Sequence, residues 1–280
     1  MSRRNYPDAR PARQGGHFAA SPGPRAKRAG ATQAVPRHGL ARVLSKAGVC
    51  SRAEAARRVL AGRVGVDGRV VRDPEFPVVP GRQRVTMDGQ PLVAAQRLYL
   101  ALNKPRGLVT SVRDEQGRDT VYRCFEGAGM PWLAPVGRLD KASEGLLFFS
   151  NDPEWAARLT DPATGPLKTY RVQIDGVPDA AQLARMHDGV EDAGEHLAVH
   201  SVAVLRQSER TAWLEIVLDE GRNRHIRRLL QVVGFEVLRL VRVAIGPVQL
   251  GELAKGQWRM LSEDELARLV AHSVESSENP

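Results

Sequence analysis

The sequence predicts an α+β protein: a small helix–helix–hairpin module, then a larger domain built on a mixed or antiparallel sheet. Three observations carry this. Apolar residues at helical spacing, Leu40, Val43, Leu44 and Ala47, are followed by a second helical segment, and together they open the module. Alternating segments at 168–174 and 212–218, with the continuous apolar run Leu146-Leu147-Phe148-Phe149, read as strands. Strands dominate the larger domain, with neither a βαβ rhythm nor a Gly-rich phosphate loop.

The elements follow in order. Residues 1–37 mix Arg, Ala, Pro, Gly and Ser with almost no large apolar side chains, too little to offset the entropy of ordering. They are expected to be a disordered basic tail, a solvated arm for RNA. A transit peptide shares the Arg-rich, acid-poor composition, although the prolines and glycines spoil an amphipathic helix. Residues 38–96 form the small module. Gly48 ends its first helix, and Ser51 with Glu54 predicts a capping box opening a second helix that runs to Gly62. Val64–Val70 is a hairpin turning at Asp67-Gly68, and a further strand near Val85 leads to a turn at Asp88-Gly89. Residues 97–271 form the larger domain, entered through a strand at Leu98–Leu102 that Asn103-Lys104-Pro105 stops. A helix beginning near Asn223 turns Ile226, Leu229, Leu230 and Val233 to the core. Residues 272–280 are expected to be a disordered C-terminus.

Charge is unevenly spread. Eight basic residues and only Asp8 among the acids fall in residues 1–37, so the tail holds +7 of the net +9 and the remainder +2. Nucleic-acid binding by the folded part must therefore rest on local clusters. Cys50 and Cys124 lie far apart without metal-ligand spacing, which fits a reducing compartment. No apolar run approaches the ~18 residues a membrane span needs. His196 and His200 have i, i+4 spacing, but they flank an alternating segment and lack a third ligand, so no metal site is expected.

The most informative stretch is Gly137-Arg138-Leu139-Asp140-Lys141-Ala142-Ser143-Glu144-Gly145, ahead of the apolar run. It sets one carboxylate, Asp140, in a short loop beside Arg138 at the lip of a core strand. Residue pattern alone leaves Asp140 either a reactive acid or a loop residue bonding nearby backbone. Pairing Asp140 with Glu144 as glycosidase acids would require a sugar cleft with carboxyls ~5–9 Å apart.

Two segments, Ala47–Ala55 and Gly62–Val71, resemble the S4 RNA-binding domain. Four more resemble the pseudouridine synthases that pair such a domain with a catalytic domain and act on ribosomal RNA: Leu102–Gly107, Gly137–Asp140 with Gly145-Leu146-Leu147, Lys168-Thr169-Tyr170, and Glu220–Leu229. The similarity covers about 230 of the 280 residues. It implies an isomerase that converts uridine to pseudouridine with a single aspartate, Asp140, acting at C1′ of the ribose or on the C2′ proton. By the same resemblance Tyr170 stacks on the uracil and Arg227 pairs with Asp140. Tyr170 would otherwise be a core aromatic, and Arg138 either fills the space of a flipped base or is a structural partner of Asp140. The segment Leu240–Gly246, with Arg242, matches a later family segment and is taken as supporting structure.

RNA contacts are expected from Arg42, Lys46, Arg52, Arg57 and Arg58, since Glu54 is the only acid between Arg42 and Arg63. Arg138, Arg222, Arg224 and Arg228 are expected to add to them, with Arg224, Arg227 and Arg228 on one helix face as a phosphate track. No metal, nucleotide or redox cofactor is expected. The resulting expectation is a cytoplasmic, monomeric enzyme that binds no membrane and modifies one uridine of large-subunit 23S ribosomal RNA. The alternatives are a 16S small-subunit enzyme and a non-catalytic RNA-binding assembly factor.

Overall fold

Residues 36–112 and 114–275 are described here, from a computed structural model. The tail expected over residues 1–37 lies outside them except for Pro36 and Arg37, as do residues 276–280 of the expected C-terminal tail. Residues 272–275 differ from that expectation, because the last helix continues through Glu275.

The small module has its own apolar core. Leu40, Ala41 and Leu44 from helix α1 (Leu40–Lys46) meet Ala55 and Val59 from α2 (Arg52–Leu60), with Val64, Val66 and Val78 beneath. The backbone at Gly48 is left-handed (φ 75°), which lets the chain reverse between the helices. Ser51 accepts from the Glu54 amide at 3.1 Å, but the return half of the expected capping box is missing. The Glu54 carboxylate turns instead to Arg57 and Arg58. The hairpin after α2 belongs to a four-stranded antiparallel sheet in the order Arg69–Val70, Val64–Val66, Val85–Met87, Gln90–Pro91. Asp67-Gly68 and Asp88-Gly89, all at positive φ, make its two tight turns.

The larger domain is a mixed sheet. Seven of its nine strands are β1 (Tyr99–Lys104), β2 (Glu144–Ser150), β3 (Lys168–Asp175), β4 (Ser201–Gln207), β5 (Thr211–Leu218), β6 (Val237–Ile245) and β7 (Trp258–Met260), ordered β4-β5-β3-β6-β2-β1-β7; the short strands Ala134–Val136 and Val248–Gln249 pair with β2 and β6 off that path. Every neighbouring pair along that path is antiparallel except β2 with β6. β1 runs two residues beyond the predicted stop, carrying Asn103 and Lys104 into the sheet.

Helices α3 (Pro153–Thr160), α4 (Ala180–Asp188), α5 (His225–Val233) and α6 (Glu263–Glu275) flank the sheet. Leu229, Leu230 and Val233 of α5 and Met186 of α4 pack with Val172, Ile174, Leu214 and Ile216 in the main core. Trp155 and Leu159 of α3 and Leu269 of α6 join Ala101, Leu146 and Phe148 in a second core. The described residues from Arg37 onward make one compact unit, and a polar joint ties the two parts. Asn151, fully buried, accepts from the Leu98 amide and donates to the Gln96 carbonyl, while Arg97 donates to the carbonyls of Asn151 and Lys46.

Candidate active site

All seven residues of β2 are buried, so the loop before it is anchored at its end by core packing. At that end Gly145 has φ 104°, and a Cβ there would lie 2.2 Å from the Arg242 carbonyl oxygen. Only glycine lets β6 come so close at this point.

The loop is held by its main chain. Thr110 Oγ1 donates to the Leu139 carbonyl at 2.7 Å, and the Gly107 amide donates to that of Lys141 at 2.7 Å. Arg227 Nη2 donates to the Ala142 carbonyl at 3.2 Å. Lys104, with no solvent exposure, points its Nζ at the carbonyls of Asp140 (3.1 Å), Ser143 (2.8 Å) and Pro105 (3.1 Å). Each carbonyl from Leu139 to Ser143 therefore accepts a hydrogen bond, with donors drawn from β1, the segment after it and α5. The Asp140 carboxylate itself makes no hydrogen bond or ion pair among the described residues. It is only partly buried and lines a cleft of about 480 Å³. Burial pushes Lys104 down to about 8, against the pull of the nearby Asp140 charge. Sequence reasoning assigned Lys104 no role; its one signal was a lysine at the end of the apolar strand Leu98–Leu102.

The cleft also takes in Tyr170, Arg138, Arg222, Arg224 and Arg227. Tyr170 projects from β3 into the main core with 8 % exposure, and its other border is the cleft. Arg138 is exposed at the rim and is not paired with Asp140. Arg227 does not pair directly with Asp140 either. Its two terminal nitrogens go to the Ala142 and Val237 carbonyls, and its buried Nε has no partner among the described residues. Burial first, then repulsion from Arg224, lowers its pKa, while the Asp140 charge raises it. The influence of Arg227 on Asp140 is thus through space and through the loop backbone.

The expected arginine track is broken. α5 starts at His225, two residues after Asn223, with Arg224 at a left-handed N-cap (φ 52°), outside the helix. Arg228 lies away from the cleft, in ion pairs with Asp192 and Glu195. Glu144 is no partner for Asp140 across a sugar cleft: it is buried, held by Arg239 at 3.0 Å and Lys255 at 2.7 Å. Among the described residues no three His, Cys, Asp or Glu side chains cluster to hold a metal ion.

Arg242, set aside as supporting structure, also borders the cleft. It is 5 % exposed, donates through Nε to the Leu146 carbonyl at 2.7 Å, and leaves its buried Nη2 without a partner among the described residues. It lies opposite Tyr170 in the β3–β6 register. No periodicity marks it, because its strand alternates in the ordinary way.

The basic surface expected on the S4-like module is partly compensated by acids, although residues 38–96 keep ten basic residues against five acidic ones. Lys46 pairs with Glu154, Arg52 with Glu75, and Arg57 and Arg58 both with Glu54. Arg42 is exposed and carries no such pair among the described residues. The compensating acids Glu75 and Glu154 are distant in sequence, so local reading could not find them.

The fold and this cleft define a class, and comparison with known proteins identifies it. The profile of the family described as RNA pseudouridylate synthase matches residues 98–232, and that of the S4 domain matches residues 39–83. The protein named "Uncharacterized RNA pseudouridine synthase" in Aquifex aeolicus is 38% identical over 227 residues, 81% of this chain and 91% of that protein. A counterpart of the same designation in Mycobacterium leprae is 38% identical over 233 residues, 82% of this chain and 91% of that one. A crystal structure of a pseudouridylate synthase superposes with a TM-score of 0.58 at 26% identity, covering 83% of this chain and 99% of that one.

The chain belongs to the RNA pseudouridine synthase family, with an N-terminal S4 domain. It is an isomerase acting on uridine in RNA. No helix among the described residues is long and apolar enough to cross a membrane.

Proposed function

We propose that the protein isomerises one uridine of 23S large-subunit ribosomal RNA, with Asp140 as the reacting acid, Tyr170 stacked on the uracil and Arg227 steadying the carboxylate. The observation that carries this reading is the Asp140 carboxylate, unpaired among the described residues, in one cleft with Tyr170 and Arg227, on a loop whose carbonyls from Leu139 to Ser143 all accept hydrogen bonds. Such a loop holds its acid in place without spending the acid's own bonds, the preorganisation that lowers a barrier.

The chemistry needs no third reactant. The C1′–N1 bond breaks and its electron pair leaves with the uracil, the base turns, and C5 bonds to C1′. The C5 proton is then lost and N1 ends protonated, so product and substrate have the same atoms. Asp140 serves either by attacking C1′ or by taking the C2′ proton. Removing a base from an RNA helix costs a few kcal/mol and one aromatic stack returns ~1–3, so Tyr170 alone is near break-even. Arg138, exposed at the rim, is suited to fill the vacated space, and Arg222 and Arg224 to hold flanking phosphates.

In this reading residues 38–96 dock the RNA and residues 97–271 carry the chemistry, in a cytoplasmic monomer. The run Gly221-Arg222-Asn223-Arg224-His225-Ile226-Arg227-Arg228 is what favours the large subunit over the small. Carbodiimide mapping of ribosomal RNA from cells with and without the protein tests the assignment. One 23S position should lose its pseudouridine signal when the protein is absent. A lost 16S position would reverse the choice of subunit, and an unchanged map would overturn ribosomal RNA as the substrate.

A further inference from the structure

We propose that the uncovered half of the central sheet is a second RNA-binding surface, where a single-stranded stretch of substrate RNA lies along Trp213 and its flanking arginines. This rests on RNA being the substrate and is independent of which residue performs the chemistry or which subunit is modified.

The two faces of the sheet are covered unequally. Tyr170, Val172 and Ile174 of β3 and Ala212, Leu214, Ile216 and Leu218 of β5 face the main core, where α4 and α5 pack. Alternation turns Arg171, Gln173 and Trp213 to the opposite side. On that side α3 and α6 cover the part around β2 and β1, through Trp155, Leu159 and Leu269. The half formed by β4, β5, β3 and β6 stays open, with Arg171 and Arg206 exposed and Leu205 46% exposed.

Register places one row of side chains across this open half. Arg206 of β4 lies opposite Trp213, Trp213 opposite Gln173, and Gln173 opposite Arg239. Three strand gaps make the row about 14 Å long at ~4.8 Å per gap. The break in register between Val204 and Arg206 is a bulge in the edge strand, and it delivers Leu205 and Arg206 to the same groove. The Arg206 and Arg239 guanidinium carbons lie 5.4 Å and 5.9 Å from the Trp213 ring centroid. Arg171 completes the positive lining of a groove of about 520 Å³.

The charge on this groove is available. Arg239 holds the buried Glu144, which Lys255 also holds, but Arg171 and Arg206 have no ion pair among the described residues. Two acids share this face, Glu215 opposite Arg171 and Asp175 at the end of β3 beyond Gln173. A half-buried aromatic ring with guanidinium groups close by suits bases that stack and phosphates that accept paired N–H donors, the recipe for sequence-tolerant binding of single strands. β4 is the edge strand, so RNA leaving the cleft has a path round that edge.

The test uses the full chain. The Trp213 component of fluorescence, taken as wild type minus W213F, should be quenched by a short oligouridylate, and the R171E/R206E double variant should abolish the quenching. Affinity for transcribed ribosomal RNA should fall about tenfold in that variant. Its log–log salt slope should become shallower by about 1.4 or more, since each lost single-strand phosphate contact removes ~0.7. Its kcat on a short fragment bearing the modified uridine should stay within twofold, which also reports that it folds. No quenching by oligouridylate, quenching by polyglutamate in its place, or an unchanged salt slope would overturn the proposal. If the double variant does not fold, quenching of the wild-type protein still decides. A wild-type protein that makes no pseudouridine would count against the catalytic reading and leave this test standing.

Discussion

The ammonium of Lys104 donates to the main-chain carbonyl of Asp140 at 3.1 Å from a position with no solvent exposure. It reaches the carbonyls of Ser143 and Pro105 as well, so its three hydrogens meet three acceptors. Burying a lysine is unfavourable unless its charge is well bonded, and here the bonds fix the loop that presents the acid.

Lys104 predicts opposite trends of activity and stability with pH. Its pKa is pushed down to about 8 from 10.5, so above pH 8 it loses a proton and one of three donors. Activity should decline as pH rises past 8. The unfolded chain binds the proton more tightly than the folded one between about pH 8 and 10.5, so this group's contribution to stability rises through that window. Measuring kcat/KM and urea unfolding in the same buffers checks this. A parallel fall of both would mean that the activity loss is unfolding.

Asp140→Ala should lower pseudouridine formation by roughly 10³-fold or more while RNA affinity changes little. The side chain makes no bond that supports the fold, so thermal unfolding should match wild type. Single-turnover assays with a filter-binding control measure both. Substantial residual activity would remove Asp140 from the mechanism.

Gly145→Ala should be costly without touching the chemistry directly. The added methyl meets the Arg242 carbonyl oxygen at 2.2 Å, in a backbone conformation (φ 104°) that L-residues rarely adopt. A loss of about 2 kcal/mol or more is expected from strain and displaced strand pairing. The urea midpoint reads this directly, and a near-neutral result would show that β6 can shift away.

Glu154→Gln should tighten RNA binding. Glu154 holds Lys46 at 2.7 Å on the surface, and exposed pairs of this kind add little to stability. Freeing Lys46 should steepen the salt dependence of binding and leave thermal unfolding nearly unchanged. Unaltered affinity would place Lys46 outside the RNA footprint.

Removing residues 1–37 should weaken binding and flatten its salt dependence, since that segment holds +7 of the net +9. An unchanged slope in salt titrations would show that these residues do not bear on RNA.

Much was legible in the sequence because it is local. The i, i+3, i+4 spacing from Leu40, the Asp-Gly turns, the alternation at Lys168–Ile174 and the run Leu146–Phe149 each declare their element within a few residues. So did the loop bearing Asp140, whose position beside an apolar strand is a chain-neighbour relation. The tertiary structure decided what depends on residues far apart in the chain. It put Lys104 beneath a loop 36 residues away and Arg227 against a carbonyl 85 residues away. It paired Lys46 with Glu154 and withdrew Arg228 to Asp192 and Glu195, so cations expected to be free for RNA already hold acids. The reason is physical: periodicity reports which face of an element avoids water, whereas a charge takes its partner from whatever the packed fold brings near. Asp140 could be found by reading along the chain; the donors that hold its loop and leave its carboxylate unpaired belong to the fold.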